Sequence, residues 1–195
     1  MRMRLLCIGT QGDVQPFMAL ALGLAKAGHD VTLAAGEEFE RSITEAGIEY
    51  RPLRVNLSKI MQSEEYHEFL SGSFIRRLRF FRRQFTPIVE RTLEDCWRVA
   101  QDAEVIVCHP SAVAGPHLAE KLNIPVFAAV SLPVLSPTRE FSNPNCGLVN
   151  FGGVVNRLTH SPRTPLYTHF HSMVNRWRTD VLGLPRRASH ESDLM

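Results

Sequence analysis

The chain has 195 residues, 44% hydrophobic and 22% charged, with a formal net charge of +2, which excludes a disordered or collagen-like polypeptide and offers nucleic acid no general positive field. A chain of this length buries one core rather than two. Its best apolar run, Phe17 to Ala25, is too short to cross a membrane.

Met3 to Ile8 reads as a first strand, because Gln11, Gly12 and Asp13 cut the opening apolar run before it reaches signal-peptide length. Gly9 to Gln15 reads as a turn, with Pro16 at the first position of a helix running to about Ala27 and stopped by Gly28. Asp30 to Ala35 is the second strand, Glu37 to Ala46 a short helix closed by Gly47, and Ile48 to Leu53 the third strand. From Ser73, the residues Phe74, Leu78, Phe81, Phe85 and Ile88 recur at helical spacing, in a stripe that continues through Leu93 and Val99 and is expected to kink or restart at Pro87. Glu104 to Cys108 is a buried strand, Ser111 to Leu122 a helix despite Pro116, and Ile124 to Ser131 a further strand.

Eight of the twelve prolines lie between Pro110 and Pro165, so Leu132 to Ser161 reads as a long irregular segment with at most a short helical piece. Pro165 to Leu182 has helix character and ends at Gly183, followed by a polar tail through Met195. Strands alternating with helices predict an α/β fold, a Rossmann-like doubly wound parallel sheet with the first strand central and the ligand crevice at the carboxyl ends of the strands. Cys7, Cys96, Cys108 and Cys146 show no C-x-x-C spacing, and read as packed thiols of a cytoplasmic protein rather than a zinc site or disulfide framework.

The segment Gly9-Thr10-Gln11-Gly12-Asp13-Val14-Gln15-Pro16 occupies the place where a dinucleotide-binding unit would carry G-x-G-x-x-G. Here the spacing is G-x-x-G, and Asp13 puts a carboxylate where a phosphate would bind. A dinucleotide-dependent oxidoreductase is therefore disfavoured, and Glu37 and Glu38 after the second strand lend a ribose contact only weak support. At a helix N-terminus Asp13 can cap backbone N–H groups or take a proton from a bound hydroxyl, and the residues alone leave both open.

GTQGDVQPFMALALGLAKAGHDVTLAAGEEFERSITEAGIEYRPL resembles the amino-terminal opening of GT-B glycosyltransferases, especially the branch with sterol glucosyltransferases and glycopeptide-antibiotic glycosyltransferases. HPSAVAGPHLAEKLNIPVFAAVSLPVLSPTREFSNP looks like that branch's acceptor-side crevice, and NRWRTDVLGLP like the end of its amino-terminal domain. The resemblance implies an acceptor-binding domain over residues 1–184, with 185–195 a tail or the start of a linker and the donor-binding domain absent. It also implies an inverting transfer of a hexose from a nucleotide-diphosphate sugar, a UDP-sugar in type, to a hydroxyl of a lipophilic small molecule. Asp13 matches the family's proposed general base, and Thr10 and Gly12 match the turn lining the same cleft. No cofactor or metal is implied beyond the nucleotide sugar, which the absent domain would mostly hold. The related plant-type enzymes place a histidine near this turn, where the present sequence has none.

His109, at the end of a predicted central strand, reads either as a histidine satisfied by backbone or as a contact to the acceptor. Ser131 and Phe141, with Pro133 and Arg139, are acceptor-lining candidates. His169 and His171 are two apart on a helix and face different ways, which argues against a metal pair, and Ser111 lacks a G-x-S-x-G elbow. Arg76, Arg77, Arg79, Arg82 and Arg83 form either a solvated helix face or a peripheral contact with an anionic membrane, with no aromatic platform suggesting nucleic acid. The non-enzymatic alternative is a stand-alone Rossmann-like module that holds a hydrophobic ligand.

Overall fold

The computed structural model describes residues 1–66, 74–131, 137–142, 150–160 and 165–187, with the backbone alone for 74–79, 81–82 and 165–169. Five parallel strands form one sheet: β1 (Arg2–Leu6), β2 (Asp30–Gly36), β3 (Glu49–Leu53), β4 (Val105–Cys108) and β5 (Val126–Ala128), in the order β3-β2-β1-β4-β5. Strand β1 is central, as the apolar pattern predicts. In register, Leu5 stands between Leu33 and Val107, and Leu6 between Ala34 and Cys108. The strand order reverses between β1 and β4, which places a crevice where their carboxyl ends meet.

Alternating side chains of the central strands feed two cores, because successive Cβ atoms point to opposite faces. Met3, Leu5 and Cys7 pack with Val14, Phe17 and Ala21 of α1 (Gln11–Lys26) and with Ile43 of α2 (Glu40–Glu45). Leu6 and Ile8 pack on the other face with Ile88, Leu93 and Cys96 of α4 (Phe74–Ala100), Leu118 of α5 (Gly115–Leu122), and Val174 and Trp177 of α7 (Pro165–Trp177). Arg4 also lies buried in β1, where its guanidinium meets Asp102 at 2.8 Å and Asp30 at 3.5 Å. These pairings hold a charge inside the sheet that would otherwise be costly to bury.

Several boundaries differ from the sequence reading. Helix α1 begins at Gln11 instead of Pro16, with Thr10 extended at the N-cap. Pro16 therefore sits in the second turn, where it omits its own bond to the Gly12 carbonyl without ending the helix. Helix α4 runs through Pro87 rather than restarting there, and the Arg91 guanidinium donates to the Pro87 carbonyl at 3.1 Å. Pro116 falls in the first turn of α5, where a missing N–H costs nothing. An additional short helix, α3 (Leu57–Met61), starts where Asn56 Oδ1 accepts the Lys59 N–H at 2.8 Å and Glu38 Oε1 accepts the Leu57 N–H at 3.0 Å. Within the irregular segment the expected short helical piece is α6 (Gly153–Thr159). After α7 the chain makes a wider π turn over Arg178–Leu182 and leaves the helix at Gly183, whose positive φ of 66° favours glycine.

The turn is pinned to the rest of the fold by Arg178, a fully buried cation. Its guanidinium donates to both carboxylate oxygens of Glu120 at 2.9 Å, to the Pro185 carbonyl, and to His117 Nδ1 at 2.7 Å. Arg187 donates to the same carboxylate at 2.8 Å.

Candidate functional site

The crevice floor is the turn from β1 into α1. Asp13, the third residue of the helix, reaches back so that Oδ2 accepts the Thr10 N–H at 2.8 Å and the Thr10 hydroxyl at 3.2 Å. This is a capping-box arrangement in which an acidic side chain satisfies a donor that the helix start leaves unpaired. It also lays the carboxyl group directly over Gly9. A Cβ added at Gly9 would lie 2.5 Å from Asp13 Oδ2 and 2.7 Å from Cγ, so a bare α-carbon there is a condition of the carboxylate's position. Gly12, by contrast, is exposed and its added Cβ would meet nothing closer than Thr10 Oγ1 at 4.0 Å.

The other oxygen of Asp13 faces the crevice. Oδ1 stands 3.2 Å from Ser131 Oγ, just past β5, and 3.5 Å from His109 Nε2, just past β4. Capping and facing the crevice, which compete in the sequence, are divided in the structure between the two oxygens of one carboxylate.

His109 is fixed on several sides. Its backbone N–H donates to the Leu6 carbonyl at 2.9 Å, and its ring meets Phe17 of α1 edge-on at 6.2 Å. The Ser111 N–H points at Nδ1 from 3.3 Å, which assigns the ring proton to Nε2, on the side of Asp13. Burial lowers the imidazole pKa below its ordinary value, while the Asp13 charge and the Ile8 backbone pull the other way. Neutral His109 therefore gives Asp13 a polar neighbour at 3.5 Å rather than a full positive charge.

Thr10, Asp13, His109 and Ser131 are thus gathered at one point. Gly12 lies in the same turn. Phe141 makes its described contacts with His160 instead, whose ring lies 6.1 Å away and whose Nε2 is 3.3 Å from the Phe141 carbonyl. Glu38 is engaged in starting α3. The side chains of Arg76, Arg77, Arg79, Arg82 and His169 lie outside the described residues, and Arg83 is exposed on α4.

Cys7, Cys96 and Cys108 are buried free thiols. Desolvation, helped by the Asp13 charge, raises the Cys7 pKa to about 12, and desolvation alone raises that of Cys108 to about 11. Neither thiol is therefore available as a thiolate nucleophile near neutral pH. Among the described residues no group of three or more His, Cys, Asp or Glu side chains is placed to hold a metal ion, and no helix is long and apolar enough to cross a membrane. A cavity of about 560 Å³ opens elsewhere, between α5 and β5, lined by Cys108, Glu120, Asn123, Val126 and Arg187.

The sequence offers no direct sign that His109 and Ser131 converge on Asp13, nor that Gly9 is a spatial requirement. The usable signal is topological, since a central β1 beside β4 puts the residue after each strand end into one crevice.

A family model described as the glycosyltransferase family 28 N-terminal domain matches residues 3–138. The sterol 3-beta-glucosyltransferase of Debaryomyces hansenii is 36% identical over 186 residues, which are 93% of this chain and 11% of that protein. The UDP-sugar-dependent glycosyltransferase 52 of Dictyostelium discoideum is 34% identical over 191 residues, 95% of this chain and again 11% of the relative. The chain therefore spans about a ninth of these relatives. Among solved structures, the calicheamicin glycosyltransferase superposes on 94% of this chain and 41% of its own with a TM-score of 0.57 at 16% identity, a likeness of fold.

Proposed function

The chain belongs to the glycosyltransferase family 28 N-terminal domains, and on that premise we propose that it is the acceptor-binding half of an inverting glycosyltransferase that moves a hexose from a UDP-sugar to a hydroxyl of a lipophilic small molecule, a sterol or related lipid. The observation that carries this reading is the divided carboxylate of Asp13, one oxygen tied to the turn and the other facing the crevice. A sterol hydroxyl entering along the direction of Ser131 Oγ meets Asp13 Oδ1 as its proton acceptor. Its oxygen then attacks the anomeric carbon from the face opposite the departing nucleotide diphosphate, and this single displacement inverts the configuration. The proton stays on Asp13 and the negative charge leaves with the nucleotide.

His109 acts here as a positioning residue, since its Nε2 lies 3.5 Å from Oδ1 and its ring is held by Phe17 and Ser111. Thr10 does the same for Oδ2. No metal or resident cofactor has a part in the step. The arginines of α4, Arg76, Arg77, Arg79, Arg82 and Arg83, are assigned to peripheral contact with anionic lipid, where such an acceptor resides.

The test is binding by the 195-residue chain itself. Equilibrium titration with a radiolabelled sterol is expected to show saturable binding, while UDP-glucose and nicotinamide dinucleotides show none. Micromolar UDP-glucose binding without sterol binding would overturn this division of labour.

A further inference from the structure

Helix α6 (Gly153–Thr159) is built inside out. Its one buried side chain is polar: Asn156 Nδ2 donates to the Arg139 carbonyl and to Asn150 Oδ1, both at 2.9 Å, and Asn156 Oδ1 accepts the Phe151 N–H at 2.9 Å. These bonds lock the helix onto the backbone around Arg139, whose side chain lies next to Gly153. The apolar side chains face the opposite way. Phe151, Val154, Val155 and Leu158 recur at the i, i+3, i+4, i+7 spacing of an amphipathic stripe, yet they are 49%, 67%, 47% and 64% exposed. A stripe with this period ordinarily faces a core. Phe141, also exposed, lies against His160 at the end of the same helix.

Positive charge predominates along the sequence that carries the helix. From Phe141 to Thr179 the sequence has no Asp or Glu and four arginines, of which Arg157 and Arg176 are exposed; Arg139 is exposed beside the helix, with Glu140 the one carboxylate at its border. Five apolar side chains fall well short of the roughly 20 to 30 residues that each partner brings to a stable protein interface. Shallow insertion of a few apolar side chains flanked by cations is, however, how an interfacial helix engages an anionic bilayer.

We infer that α6 is a lipid-contact surface, with Phe151, Val154, Val155 and Leu158 entering the boundary between headgroups and acyl chains and with Arg139 and Arg157 at the level of the lipid phosphates. The inference does not depend on Asp13. It shares with the α4 arginines only the kind of partner, and the experiment separates the two.

Vesicles of phosphatidylcholine, with and without phosphatidylserine, are mixed with the 195-residue chain. Leu158→Trp is expected to gain blue-shifted emission on the anionic vesicles, and brominated acyl chains are expected to quench it beyond the quenching of the native tryptophans in the parent. Val154→Glu together with Leu158→Glu is expected to weaken vesicle binding by roughly tenfold with the melting temperature unchanged, because both positions are exposed. Vesicle binding without excess quenching of Leu158→Trp would put the lipid contact elsewhere and overturn the inference while leaving the α4 arginines in place. Absence of any vesicle binding would overturn both. Self-association abolished by the double Glu variant, with vesicle binding intact, would make α6 a protein interface and overturn the inference as well.

Discussion

His109 Nε2 lies 3.5 Å from Asp13 Oδ1, and the Ser111 N–H at Nδ1 keeps the ring proton on the side of the carboxylate. A side chain that only filled space at the end of β4 could be replaced by any residue of similar volume. His109→Gln, whose amide can still donate toward Asp13, is expected to retain most transfer activity in a polypeptide joining this chain to a nucleotide-sugar-binding domain. His109→Leu is expected to lower kcat by about tenfold, the scale of a lost orienting polar contact, with little change in sterol affinity. Equal activity of the two variants would reduce His109 to packing.

Gly9 tests the same geometry from below. An added methyl group at Gly9 collides with the Asp13 carboxyl, so Gly9→Ala must move Asp13 or the turn. The expected cost is about 1 to 3 kcal/mol, the range for overpacking, measured by denaturant unfolding. In the imidazole NMR spectrum His109 should lose the mark of its Asp13 neighbour. Gly12→Ala, with open space around its Cβ, is the control and is expected to leave both unchanged. A Gly9→Ala protein with parental stability and an unmoved His109 resonance would refute the steric argument.

The sheet was legible because buried parallel strands read as short apolar runs, and Met3 to Ile8 flanked by a turn motif could hardly be anything else. What failed locally was the start of α1, since Pro16 marks an N-terminus only where no stronger cap precedes it, and Thr10 with Asp13 supplies one. Helix α3 escaped because half of its cap comes from Glu38, distant in sequence. Asp13 and His109 were each visible as crevice residues, but their pairing depends on Leu6 lying beside Cys108 across two strands. Periodicity carries no information about that adjacency until the strand order is known. Phe141 is a different case: an aromatic residue in a proline-rich segment reads as an acceptor contact from its type alone, and nothing in that reading points to the His160 ring beside it.

His117 makes stability depend on pH. Burial first, then the nearby Arg178 and Arg187 charges, lower its pKa to about 3 from an ordinary 6.5. The folded state thus binds the proton less readily than the unfolded state, so stability is fully present above pH 6.5 and is lost as pH falls toward 3. The slope is at most about 1.4 kcal/mol per pH unit for one such group. His117→Asn keeps an acceptor near the position of Nδ1 for Arg178 but cannot be protonated. Urea unfolding between pH 7 and pH 4.5 is expected to show a shallower decline for the variant, and parallel curves would exclude His117 as the source.

Arg178 and Glu120 should respond unequally to removal. Glu120→Ala leaves the buried Arg178 guanidinium without its bidentate carboxylate, an uncompensated charge that costs about 3 to 5 kcal/mol. Arg178→Met replaces the cation with an apolar side chain of similar length; it leaves the Pro185 carbonyl and His117 Nδ1 without a donor but strands no buried charge, since Glu120 is partly exposed and still pairs with Arg187. The Met variant is therefore expected to melt later than the Ala variant. The opposite order would mean that Arg178 holds the turn chiefly through the Pro185 carbonyl.

The chemistry assigned to Asp13 is tested by two substitutions in the chain joined to a nucleotide-sugar-binding domain. Asp13→Asn retains an oxygen for the Thr10 N–H, but turns an NH2 group toward the Nε2–H of His109 and removes the charge that accepts the acceptor's proton. The fold is expected to survive, with stability lowered by about 1 kcal/mol for the mismatched donors. If the carboxylate is the base, turnover falls roughly 10²- to 10⁴-fold while sterol affinity changes little. Asp13→Ala removes the cap as well as the charge. It should therefore match Asn in turnover but melt lower still, since losing a capping group costs about 1 kcal/mol. The two readings of Asp13 separate on turnover alone, because a residue that merely starts the helix has no reason to affect proton transfer once the helix is folded. An Asn variant turning over at the parental rate, beside an Ala variant whose only defect is a lower melting temperature, would leave Asp13 a cap and return the search for the base to His109.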